Sequence, residues 1–99
     1  MPQVEIDEAI KVSQKEPSKF NVVFFNDDTT PMNLVIAILK KVFRHSDVVA
    51  EAITMKVHNE GSAVAGTYSH EIAEQKANES VGMSRVNGFN LLVKAIEEE

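Results

Sequence analysis

Asn26, Asp27 and Asp28 stand in a row at the end of an apolar run, and Thr29, Thr30, Pro31 and Met32 follow directly. One amide beside two carboxylates offers oxygen acceptors and negative charge, which is the chemistry that holds a small cation such as a protonated amine. The same stretch reads as a helix start. Thr30 can cap free N–H groups with its hydroxyl, Pro31 at the first helical position gives up no hydrogen bond, and acidic residues suit the positive end of a helix dipole. A cap needs only one of these polar side chains. The surplus makes residues 26–32 the first candidate site.

Other chemistry is scarce. Asp27 and Asp28 can be combined on paper with His45, His58 and His70, but no pair of histidines lies four apart on one helix, so no metal site is expected. There is no glycine-rich phosphate loop, no serine in an elbow context and no cysteine nucleophile, so catalysis and a cofactor are not expected. The lack of cysteine excludes disulfides and fits a reducing compartment. A net charge of −5 argues against non-specific binding to nucleic acid and leans towards cationic partners. Lys40, Lys41, Arg44 and His45 cluster where a helix should end, a place where the dipole favours cations. No apolar run approaches membrane-spanning length and the N-terminus lacks a signal peptide's apolar core, so a cytoplasmic protein away from membranes is expected.

The positioning elements follow from periodicity. With 99 residues, one domain is expected. Residues 1–18 are polar and charged, with Val4, Ile6, Ala9, Ile10 and Val12 scattered among them, and read as a flexible arm that orders on contact with a partner. Residues 20–25 read as a strand with apolar residues on both faces. From 31 to 44, Leu34, Val35, Ile38, Leu39 and Val42 repeat at helical spacing. Ser46 caps a second helix that Gly61 ends, with Val49, Ile53 and Val57 as its apolar stripe and Val48, Ala52 and Met55 beside it. Residues 63–68 read as a short strand in which Gly66 marks a bulge or a close backbone approach. Ser69 caps a third helix carrying Ile72, Ala73, Lys76, Ala77 and Val81. Residues 82–90 read as helix end and loop, with Gly88 at a turn, and 91–96 as the last strand. The order βααβαβ gives a two-layer α+β domain, a three-stranded antiparallel sheet packed against three helices. The arm takes 1–18 and the core domain 19–99.

On pattern alone, a polar loop opening onto an apolar cleft suits a binding module better than an enzyme. Asn26, Asp27 and His58 can supply acceptors, and Met32, Val35 and Val57 an apolar wall, a combination suited to a free amine beside a hydrophobic group. That is one idea among several. The blocks Phe25-Asn26-Asp27-Asp28-Thr29-Thr30-Pro31-Met32, Val57-His58-Asn59-Glu60-Gly61, Gly66 and Ile72-Ala73-Glu74-Gln75-Lys76 resemble the ClpS family, in order, over residues 20–96.

With a monomer as the default expectation, the resemblance implies an adaptor of the Clp protease. It would bind proteins whose first residue is bulky and apolar (N-degrons) and deliver them to a ClpA-type AAA+ unfoldase. It implies that Asn26, Asp27 and His58 hold the substrate's α-amino group. The first side chain would enter a pocket made by Asp28, Thr30, Met32, Val35, Thr54, Val57 and Leu91. Glu71 and Lys76 match the unfoldase-docking surface, and the arm would be engaged during delivery. Thr54 departs from the family pattern, in which a methionine at this position closes the pocket mouth against β-branched residues. A relaxed specificity that admits Ile and Val is therefore expected. Thr29 and Asn33 also depart from the pattern, with little effect expected at the rim. The competing reading is a non-catalytic interaction domain of similar fold, like the ribosomal stalk protein's C-terminal domain, which lacks the acidic loop.

Overall fold

The computed structural model describes residues 18–99, so all of the expected arm except Ser18 lies outside the described residues. The elements run in the expected order: β1 (Lys19–Phe25), α1 (Met32–Phe43), α2 (Asp47–Glu60), β2 (Ser62–Ser69), α3 (His70–Val86) and β3 (Leu92–Glu97). The sheet has the order β2-β1-β3, with both pairings antiparallel, and the most apolar strand takes the centre. Among the described residues, helices cover one face of it. Val22 and Phe24 point into the core with no exposure, while Val23 and Phe25 on the other face are half-buried. Val35, Ile38, Leu39 and Phe43 of α1 complete the centre of the core.

Both readings of Gly66 hold. Val22 pairs with Gly66 but Val23 with Val64, so Ala65 is an extra residue in β2. A Cβ at Gly66 would run into the Tyr68 ring and force it to move, so glycine suits the place. His45 serves the bulge, its imidazole Nε2 donating to the Ala65 carbonyl at 2.6 Å. Ala65 is buried, and its carbonyl would otherwise pay the full cost of desolvation. The cationic cluster is thus partly architectural. Lys40 also pairs with Asp47 at 2.5 Å across the turn between the helices.

Several local expectations need correction. The Thr30 hydroxyl does not cap α1. Pro31 occupies the N-cap position, with no side-chain cap, and its carbonyl accepts from the Leu34 and Val35 N–H groups. The helix ends one residue early, with Arg44 as C-cap at φ 62. Ser46 caps α2 as expected, accepting from the Val49 N–H, whereas Ser69 makes no side-chain cap for α3. The buried face of α2 is Ala50, Thr54 and Val57, and Val49 is 42% exposed. Small residues let α2 approach its neighbours closely, which a face led by Val49 would prevent. In α3 the buried face is Ala73, Ala77, Ser80 and Ser84, with Ile72 turned outward at 46% exposure. That helix continues through Gly82 to Val86 instead of ending at Gly82, because Ser80 and Ser84 are satisfied inside it or beside it.

Candidate functional site

Two chain turns meet to form the site. At the end of α2, Gly61 adopts φ 94 and its N–H returns to the Val57 carbonyl at 2.9 Å, a left-handed stop that suits glycine. The Gly61 carbonyl then accepts from the Asn26 N–H at 2.9 Å. That bond brings the last turn of α2, with His58 on it, against the loop that leaves β1.

Inside the loop the Thr30 N–H donates to the Asp27 carbonyl at 3.1 Å, closing a turn. The hydroxyl that was expected to cap α1 donates instead to Asp27 Oδ2 at 2.5 Å, and the Thr29 hydroxyl donates to the same oxygen at 2.9 Å. Thr29 is thus a supporting residue, not a bystander at the rim. These contacts leave Oδ1 for an incoming donor. They also stabilise the carboxylate, with Thr30 the larger cause and Thr29 the next, and hold the Asp27 carboxyl below its ordinary pKa of 3.8. Asn26 Nδ2 donates to Asp28 Oδ1 at 3.2 Å, which fixes the amide against the second carboxylate.

Behind this polar rim lies a cavity of about 280 Å³. Asn26, Asp27, Asp28 and His58 line its mouth side, and Thr30, Met32, Val35, Thr54, Val57 and Leu91 its apolar side. All the residues assigned by resemblance to the amine and the pocket thus lie around one cavity. Pro31 also lines it and was missed, having been read only as a helix start. Thr54 does not stand at the mouth. It is 3% exposed and its hydroxyl is spent on the Ala50 carbonyl at 2.8 Å, so it offers the cavity a methyl group from the inner wall. Met32, 38% exposed, is the apolar residue at the rim. On the opposite wall the Leu91 N–H donates to Ser84 Oγ at 3.0 Å, so the far end of α3 holds the segment that closes the pocket. Nothing in the residue pattern pointed to Ser84, since a serine on a helix face reads as surface.

A family comparison decides among the readings. Residues 15–94 match the family described as ATP-dependent Clp protease adaptor protein ClpS. The chain belongs to the ClpS family. The ClpS adapter protein of Vibrio atlanticus is 42% identical over 91 residues, covering 92% of this chain and 86% of that one. The ClpS of Vibrio cholerae (Classical Ogawa 395) is 41% identical over the same shares. Among solved structures, that of Agrobacterium tumefaciens ClpS2 bound to L-phenylalaninamide superposes with a TM-score of 0.82 at 36% identity, covering 84% of this chain and all of that one. The fold of this ClpS is therefore the family's. Among the described residues no helix is long and apolar enough to cross a membrane.

The two residues matched by resemblance to an unfoldase-docking surface, Glu71 and Lys76, differ in setting. Glu71 is exposed in the first turn of α3. Lys76 is half-buried, donating from Nζ to the Val42 carbonyl at 2.9 Å and lying 5.7 Å and 5.2 Å from the ring centres of Phe43 and Tyr68. It ties α3 to the end of α1. Lys76→Ala should therefore cost about 1–3 kcal/mol of stability, the worth of a charge-assisted hydrogen bond with an added cation–π contact. Urea unfolding checks this, and an unchanged midpoint would show that the amine gains nothing from these contacts.

Proposed function

We propose that the cavity receives the first residue of N-degron proteins, with its α-amino group at the rim and its side chain inside. The observation that carries this reading is the meeting of Asp27, Asn26 and His58 at the mouth of an apolar-walled cavity. Asp27 would supply the charge and the other two hydrogen-bond acceptors. At about 280 Å³ the cavity lies just below the range of drug-sized pockets and suits one residue's side chain. The ligand of the A. tumefaciens relative, L-phenylalaninamide, has the same two features, a free amine and an apolar side chain. The protein would act as a monomeric, non-catalytic adaptor in the cytoplasm that hands its cargo to a ClpA-type AAA+ unfoldase, with Glu71 on the docking surface. Fluorescence anisotropy with peptides that differ only at residue one tests the reading. Binding of Leu and Phe peptides but not Gly supports it, and no binding to any of them removes it.

Two further outcomes follow from the pocket. Ile- and Val-initiated peptides should bind within about a hundredfold of Leu, because a threonine methyl on the inner wall leaves room for a branched side chain, and a methylene is worth about 1–3 kcal/mol there. Thr54→Met should fill that room and widen the gap. A Leu preference above a hundredfold in the unmodified protein would count against it.

Asp27 sets the acid limit of the amine site. Its carboxyl is held below the ordinary range, so its charge persists through pH 5 and disappears only in stronger acid. Titrating affinity downward from pH 5 should show the loss at lower pH in the unmodified protein than in Thr29→Val, which removes one of the two hydroxyls on that carboxylate. Coincident curves would show that the hydroxyls do not hold it.

A further inference from the structure

A second concave surface lies away from the candidate site. Between the end of α1 and the C-terminal half of α3 runs a groove of about 800 Å³. Val42 and Met83 line it half-buried, and Val86 beside them is 88% exposed. Lys41, Arg44 and Lys76 border it against a single carboxylate, Glu79. On a chain of net charge −5 this surface is locally cationic and apolar at once, and of its lining the functional reading involves only Lys76.

One segment of the chain complements it in both respects. Residues 4–10 read Val-Glu-Ile-Asp-Glu-Ala-Ile, three carboxylates with no cation among three large aliphatic side chains. The distance can be spanned. Phe20, at the start of β1, stacks on His70 at the start of α3 with ring centroids 4.4 Å apart. Met83 lies thirteen residues further along that helix, about 20 Å. The nine residues from Ile10 to Lys19 reach up to about 30 Å when extended.

We propose that residues 4–10 seat in this groove, drawn by the attraction of their three carboxylates to its cationic border and by the burial of their aliphatic side chains against Val42, Met83 and Val86. The outer face of the sheet is the rival surface, since Val64, Leu92 and Ile96 there are 44–46% exposed. By strand alternation Lys19 and Lys94 share that face while Glu97 points to the other, so it is also cationic, with two such side chains to the groove's three.

The 99 residues include no cysteine, so Ala9→Cys gives a single position for a nitroxide. Paramagnetic broadening of backbone amide signals should appear at Lys41, Met83, Val86 and Asn87. The exposed substitution Lys41→Glu should reduce it by about twofold or more, because a close attraction becomes a repulsion. Adding Asp7→Lys and Glu8→Lys should restore it, which a loss of folding would not allow. Broadening at Val64, Leu92 and Ile96 instead, no local broadening, or broadening indifferent to these charge changes would each overturn the proposal. So would broadening that arises only between labelled and unlabelled copies in a mixture, which would seat a second molecule in the groove.

Discussion

Acetylating the α-amino group of a Leu- or Phe-initiated peptide should lower its affinity by more than about a hundredfold, which is roughly 2.7 kcal/mol. The free amine has an ordinary pKa of about 7.7–8.0 and is mostly cationic at neutral pH. Acetylation removes that charge and leaves one N–H where three stood. Hydrogen bonds to charged groups are worth about 1.5–3 kcal/mol each. Asn26 and His58 are exposed, so the lower end of that range applies to them, yet two such bonds already reach the stated loss. Asp27 adds the charge term to these bonds, and the Thr29 and Thr30 hydroxyls hold its carboxylate in place before the ligand arrives. Asp27→Asn, nearly the same size, should cost about tenfold or more against the free peptide and almost nothing against the acetylated one. An acetylated peptide that binds within about tenfold of the free one would remove the amine site, whatever the apolar cavity contributes.

The sequence made the site more legible than the packing around it. Asn26, Asp27 and Asp28 are contiguous, so any turn after β1 presents them together, and the residues matched by resemblance to the amine and the pocket fall around one cavity. The order of the elements and the irregularity at Gly66 were readable because β-branched runs and a lone glycine act locally, whereas the sheet order β2-β1-β3 was not. Hydroxyl groups misled. Thr30, Thr54, Ser80 and Ser84 are buried and spend their oxygens on partners that no periodicity specifies. For the same reason the inner faces of α2 and α3 were assigned to larger apolar residues. Small residues there set how closely each helix approaches, and hydrophobicity does not report that distance. Lys76 shows the converse, a cation read as surface chemistry that is engaged largely within the domain.

Phe24→Ala should be among the most damaging single substitutions for stability, at about 3–5 kcal/mol. Phe24 has no exposure, sits on the central strand, and meets Phe43 edge-on with ring centroids 5.6 Å apart. Removing its ring leaves a void that the strand cannot close, because β1 is bonded to a neighbour on each side and its register is fixed by both. A domain of this size has a total stability of about 5–15 kcal/mol, so the loss is a large fraction of it. At about 4–8 °C per kcal/mol, the melting temperature should fall by at least about 12 °C. Phe24→Leu should recover part of the loss by refilling the space. The candidate site should survive wherever the variant stays folded, since the loop is tied to α2 by the Asn26 N–H and the Gly61 carbonyl and not by the ring. Calorimetry and peptide titration on the same sample separate the two effects. A melting temperature lowered by less than about 5 °C would mean that Phe24 does not anchor the core.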